Sequence, residues 1–163
     1  MRFTTKTEYG LICLMYMARH RGNGVVTVPE IVQNERFSKA FIEKILQQLR
    51  KAKIVEAHHG IKGGYLLARD PAKITLREVV EALEGGTFDV FCKPDVREHI
   101  VCTHFALCGV KPVWQQTKEM LDRFFDTITL DRMAGNFAKH PATPGTKGAA
   151  AAEGRSAFGG SAA

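Results

Sequence analysis

Residues 27–68 read TVPEIVQNERFSKAFIEKILQQLRKAKIVEAHHGIKGGYLLA, and this stretch decides the fold. Thr27-Val28-Pro29-Glu30 is a T-x-x-E capping box. The threonine hydroxyl accepts from the amide three residues on, while the glutamate reaches back to the cap amide. It predicts a helix over about residues 28–34. Ser38 is a good cap for a second helix. There Phe41, Ile42, Ile45, Leu46 and Leu49 share one face, and Lys39, Glu43, Lys44, Gln47, Gln48, Arg50 and Lys51 fill the rest. The three residues Glu35-Arg36-Phe37 between them make the pair a helix-turn-helix. Ile54–His58 and Tyr65–Ala68 then read as two strands joined by a glycine-rich tip, His59 to Gly64.

Two more boxes flank this stretch. Thr5-Lys6-Thr7-Glu8 predicts a helix over about 6–20, and Thr75-Leu76-Arg77-Glu78 one over about 76–84. Asp70-Pro71 closes the hairpin, since proline cannot continue a strand ladder. Helix, helix-turn-helix, hairpin is the order of a winged helix. Pro112 opens a further helix with Val113, Trp114, Met120, Leu121, Phe124, Phe125 and Ile128 as a wide apolar stripe. Only the short helix 76–84 is available in the chain to cover that stripe, so a homodimer interface is expected. The expected fold is mainly α with a small β-hairpin. Residues 1–84 form a winged helix-turn-helix, 85–111 a cysteine-bearing loop, and 112–137 a dimerisation helix with a short C-terminal helix. From residue 138 to 163 the Ala/Gly/Ser/Pro-rich composition predicts a disordered tail.

The 163 residues carry a net charge of +6, and its distribution says more than its sum. Residues 1–69 hold 12 Lys/Arg against 5 Asp/Glu, whereas residues 70–137 hold 8 against 11. A basic first half followed by an acidic second half suits a polyanion-binding module joined to a part that meets protein or metal. No apolar run of about twenty residues is present, so no membrane span is expected. The expected location is the cytoplasm, where thiols stay reduced or metal-bound. No nucleophile–base pair, phosphate loop or paired carboxylates stand out, and an enzyme is not expected.

Three of the four cysteines, Cys92, Cys102 and Cys108, crowd into 17 residues with the spacing C-x9-C-x5-C. Thiolates bind zinc, hold iron–sulfur clusters or oxidise. The spacing is neither that of a zinc ribbon nor the tight run of a bacterial ferredoxin. An iron–sulfur site, a structural zinc site completed by His99 or His104, and a thiol switch all remain open on the residues alone. An iron–sulfur electron carrier would use the same cysteines but has no need of a helix-turn-helix. Cys13, on an apolar helix face, reads as a small core residue.

The opening Met1-Arg2-Phe3-Thr4-Thr5-Lys6-Thr7-Glu8-Tyr9-Gly10, the stretch Phe41-Ile42-Glu43-Lys44-Ile45-Leu46-Gln47-Gln48-Leu49 and the wing Gly60-Ile61-Lys62-Gly63-Gly64-Tyr65-Leu66-Leu67 resemble the Rrf-type winged-helix transcriptional regulators. IscR, NsrR and RirA typify that family. Leu76-Arg77-Glu78-Val79-Val80 and Ile128-Thr129-Leu130 match as well, so the resemblance covers about residues 1–135. It implies a cytoplasmic homodimer that binds operator double-stranded DNA, with repression the expected sign. In the sensing branches it also implies an iron–sulfur cluster (4Fe–4S or 2Fe–2S) on the three loop cysteines, reading cluster supply, iron, nitric oxide or redox state. The gap of nine residues between Cys92 and Cys102 is longer than in the best-known members. Where the IscR branch places a ligating histidine this chain has Lys111, which is not a plausible ligand. Where the NsrR branch places an acidic ligand, contributed by the other subunit, it has Glu8. The implied ligand set is therefore Cys92, Cys102, Cys108 and Glu8, with zinc the alternative metal.

For DNA, the first turn of the recognition helix should enter the major groove. Ser38, Lys39, Ala40 and Glu43 would meet base edges, with Glu43 able to accept from cytosine N4. Phe41 faces the core by periodicity, yet lies near DNA in the family. His58, His59 and Lys62 mark the wing, and His59 stands where the family has an arginine that enters the minor groove. Arg2, Arg50 and Lys51 are expected phosphate partners.

Overall fold

The computed structural model describes residues 3–35, 37–60, 63–88 and 108–138. In order, these form α1 (Thr5–Arg19), α2 (Val28–Glu35), α3 (Lys39–Lys51), β1 (Val55–His58), β2 (Gly64–Leu67), a 3-10 turn (Pro71–Lys73), α4 (Leu76–Glu84), α5 (Val110–Asp126) and α6 (Leu130–Ala138). The described chain is thus mainly helical with one antiparallel hairpin, as its patterning requires. Arg2, Lys62, Cys92, Cys102, His99, His104 and the tail from residue 139 lie outside the described residues.

Helical spacing selects the core. Cys13, Leu14 and Met17 of α1, Ile31 of α2, Ile42, Ile45, Leu46 and Leu49 of α3 and Val79 and Leu83 of α4 are buried together. Each helix therefore turns one apolar stripe inward. Gly10 lets α1 and α4 approach closely, because a Cβ there would stand 2.4 Å from Leu83 Cδ1. Stacking of Tyr9 on Phe37, with ring centroids 3.9 Å apart, and an edge contact of Tyr9 with Phe41 at 5.6 Å, fasten the helix-turn-helix to α1.

The hairpin pairs Val55 with Leu67 and His58 with Gly64. The other edge of β2 is bridged where Val26 and Tyr65 exchange hydrogen bonds of 2.9 and 2.8 Å. A second bridge, Thr75 with Thr129, stitches the α5–α6 turn to the start of α4. Leu76 N–H donates to Ile128 O at 2.8 Å and Leu130 N–H to Ile74 O at 2.9 Å. Helix α6 thereby returns to pack on α1 and on the 3-10 turn, burying Leu130 and Ala134.

Two of the three capping boxes form. Thr75 Oγ1 accepts from Glu78 N–H while Glu78 receives the Thr75 N–H. Thr27 and Glu30 make the same exchange. The box expected at Thr5 and Glu8 does not form. Helix α1 starts one residue earlier, on Thr4, which makes no side-chain cap bond. Its acceptor is instead Glu84, 80 positions away, which takes hydrogen bonds from Thr4 and Thr7. Ser38 is the N-cap of α3 by backbone geometry, but its hydroxyl makes no cap bond. Helix α5 begins at Val110, not Pro112. A proline within the first turn removes only an amide that has no intrahelical partner.

The α5 stripe divides in two. Phe125 is buried, and Asp122 beside it is buried against α4. Val110, Val113, Trp114, Met120 (61 % exposed) and Phe124 (57 % exposed) face outward. Asp122 accepts from Thr87 and Lys118. Arg77 of α4 lies 3.6 Å from the same carboxylate and also reaches Glu81 at 2.9 Å and Asp126 at 3.0 Å.

Candidate nucleic-acid interface and sensing residues

An amphipathic α3 with its apolar face fully buried must present the opposite face to solvent. Ser38, Lys39, Ala40, Arg50 and Lys51 are exposed, and Glu43 is half-exposed beside Lys39, their charges 3.9 Å apart. Phe41 is half-buried against Tyr9, on the flank of the helix between core and surface. Between α3 and the hairpin runs an open groove of about 440 Å³. It is lined by Lys39, Glu43, Gln47 and Arg50 from α3, His58, His59, Gly63 and Gly64 from the hairpin, and Thr27 and Pro29 from the start of α2. A shallower recess beside it is lined by Gln47, Arg50 and Lys51. Most of the described residues expected to touch DNA therefore converge on one face. His58 lies at the end of β1 with Nε2 3.1 Å from Glu56 Oε1, so one wing side chain already has a neighbour within the hairpin.

Gln47 is the α3 residue of the groove that the motif reading passed over. It stands four residues after Glu43 and three before Arg50, the same-face spacing of a helix. That periodicity was the available signal.

Of the cysteines, Cys13 is fully buried and Cys108 half-buried, and both are free thiols. Burial pushes the Cys13 thiol up to about 12, with a further rise from the Glu35 charge. Cys13 sits at 0 % exposure inside the hydrophobic core, as a small apolar packing residue. Cys108 stands just before the N-cap of α5, at Gly109. Glu8 is exposed in the first turn of α1; its backbone N–H donates to Thr4 O at 3.4 Å, while its carboxylate does not take part in the capping of the helix. Among the described residues no three His, Cys, Asp or Glu side chains converge on one point, and two of the three loop cysteines lie outside them. Of the donors expected from the sequence, the described ones are the free Cys108 thiol and the exposed Glu8 side chain.

A helix-turn-helix with a hairpin wing and a basic, exposed recognition face defines a winged-helix DNA-binding regulator. The profile of the Rrf2 family, described as an iron-dependent transcriptional regulator, matches residues 3–136. The chain belongs to that family. It is 32 % identical over 130 residues to protein rrf2 of Nitratidesulfovibrio vulgaris, covering 80 % of this chain and 85 % of that one. The solved structure of T. potens IscR is similar at 27 % identity and a TM-score of 0.66, over 89 % of this chain and 94 % of that one. That of CymR, the global cysteine regulator of B. subtilis, is similar at 25 % identity and 0.65, over 83 % and 98 %. These relatives are transcriptional regulators, not enzymes. No helix among the described residues is long and apolar enough to cross a membrane.

Proposed function

We propose that the protein is a homodimeric operator-binding repressor whose DNA affinity is set by an iron–sulfur cluster held by Cys92, Cys102, Cys108 and Glu8. The observation that carries the sensing half is the state of Glu8. Its expected capping duty is taken over by Glu84, so an exposed carboxylate is left unengaged at the N-terminus of α1. Cys92, Cys102, Cys108 and Glu8 would hold the cluster through three thiolates and one oxygen donor, the oxygen being the weaker ligand. When bound, the cluster supplies a group that oxygen, nitric oxide or iron shortage removes. The chain's own part is to offer thiolates from the cysteine-bearing stretch and to bring a carboxylate from the DNA-binding unit.

The dimer reading rests on α5. Val110, Val113, Thr117, Met120 and Phe124 succeed one another at steps of three and four, the spacing of a helix seam that packs on its own copy. The large apolar members of that seam are outward-facing. Two recognition helices would then read two half-sites.

Anaerobic purification with visible absorption and metal analysis tests the sensing half. Brown protein with iron and sulfide is expected, and Cys92, Cys102 and Cys108→Ala should each lose the chromophore while Cys13→Ala keeps it. Colourless protein containing zinc would replace the cluster with a structural metal. For the DNA half, Lys39→Ala or Glu43→Ala should relax sequence preference at one base step by about 1–3 kcal/mol. Arg50→Ala or Lys51→Ala should weaken all sequences and lower the salt slope by about one. Binding indifferent to salt would refute the assignment of this face.

A further inference from the structure

Four side chains of α3 line the groove toward the hairpin: Lys39, Glu43, Gln47 and Arg50. They succeed one another at steps of four, four and three residues, so they form one line along the helix. Around the axis they are not equivalent. The buried stripe of α3 is Ile42, Ile45, Leu46 and Leu49. At about 100° per residue, Lys39, Glu43 and Arg50 stand roughly 70–110° from the middle of that stripe, and Gln47 about 150° from it. Gln47 therefore lies near the crest of the exposed face, while the three charged residues lie on its flank. In keeping with this, Gln47 is exposed and lines both the groove and the recess beside it. Gln48, the other glutamine in this part of the helix, is half-buried with its side-chain oxygen enclosed. Gln47 is thus the glutamine that α3 offers to solvent.

Its chemistry also sets it apart from its neighbours. Lys39 and Glu43 lie 3.9 Å apart as an ion pair, and a guanidinium such as that of Arg50 suits a phosphate. The Gln47 amide is neutral and carries both donors and an acceptor. A phosphate could use only the donors and would leave the carbonyl oxygen unmatched. Adenine answers both in the major groove: its N7 accepts from the amide N–H, and its N6–H donates to the amide oxygen. Along the helix Gln47 lies about 6 Å beyond Glu43, less than two steps of about 3.4 Å along a DNA strand.

We propose that Gln47 is a specificity-determining residue of the DNA face, reading an adenine within about two base pairs of the position met by Glu43. This rests on the reading of α3 as the recognition helix.

The test takes full-length wild type, Gln47→Ala, Gln47→Glu and Glu43→Ala, prepared alike, through selection from a pool of randomised duplex DNA. Kd is then measured against salt concentration on the selected sequences. Wild type should prefer adenine at one position where Gln47→Ala loses roughly tenfold in discrimination. Gln47→Glu keeps the length but only accepts, so it should exchange adenine for cytosine there, through cytosine N4–H. The salt slope of Gln47→Ala should match that of wild type, since no charge is removed. Unchanged selected sequences in Gln47→Ala would overturn the inference. So would an even loss on all sequences, which would make Gln47 a phosphate partner, or relaxation at a position where wild type prefers another base. Glu43→Ala keeps the two readings apart. If it relaxes a position and Gln47→Ala relaxes none, only the role of Gln47 falls. If wild type itself selects no sequence, α3 is not the reading helix and the inference falls with it.

Discussion

Gly64 shows how one absent methyl group holds the wing in place. A Cβ there would stand 2.6 Å from the backbone oxygen of Val26, and no side-chain rotation relieves a clash with backbone. The same oxygen receives the Tyr65 N–H in the bridge that ties β2 to Val26. Gly64→Ala should therefore cost about 1–3 kcal/mol in urea unfolding and weaken DNA binding through the wing. Gly10→Ala meets a shorter contact, 2.4 Å, but with the tip of Leu83. A helix-propensity gain of up to about 1 kcal/mol offsets part of it. The larger loss is expected at Gly64, and the reverse order would mean that the Val26 rung does not hold the wing. Residue-level legibility was uneven. Cys13 was readable as core because its neighbours repeat at helical spacing. The fate of Glu8 was not, since Glu84, which displaces it from capping, lies 80 positions from Thr4 and no local pattern announces it.

Among the elements, helix starts separate local signals that win from those that lose. The box at Thr75 is complete, with both hydrogen bonds present, and Thr75→Ala should cost about 1 kcal/mol. Thr5→Ala should change stability by only a few tenths, because Thr5 is already inside α1 and caps nothing. Equal effects in chemical denaturation would show that the T-x-x-E signal acts at both sites after all. The helix-turn-helix and the hairpin were legible within a residue or so, since apolar period and glycine placement agree there. The start of α5 and the division of its stripe were not. The sequence shows that Phe124 and Phe125 are apolar but not that Phe125 is the one buried, beside Phe3. Exposure of Lys39, Glu43, Arg50 and Lys51 was legible for the same reason that α3 was, since a buried stripe dictates its exposed complement, whereas Gln47 was passed over.

Across the molecule, the DNA-binding unit and α5 are joined by charge. Burial works to raise the Asp122 carboxyl, but the hydrogen bonds of Lys118 and Thr87, with the Lys118 and Arg77 charges, bring it below its ordinary 3.8. A lowered folded value means that its stabilisation is complete above the unfolded value and is lost as pH falls through the folded one. Acid should thus loosen α5 from α4, while nothing from this group changes between about pH 5 and pH 8. Thermal melts of wild type and Asp122→Asn should differ at neutral pH and converge below about pH 4. A constant difference across that range would detach the carboxylate from the α4–α5 junction.

The return of α6 to α1 has a consequence for synthesis. Leu130 and Ala134 close a core begun by Cys13 and Leu14, so the hydrophobic centre of the DNA-binding unit is shared between the two ends of the described chain. During translation the first helix must wait, partly uncovered, until the last has emerged. Cys92, Cys102 and Cys108 are all made in that interval. On the proposed reading, the thiols would be available for loading before the fold around α1 can close, and a nascent chain stopped before residue 130 should remain open to protease.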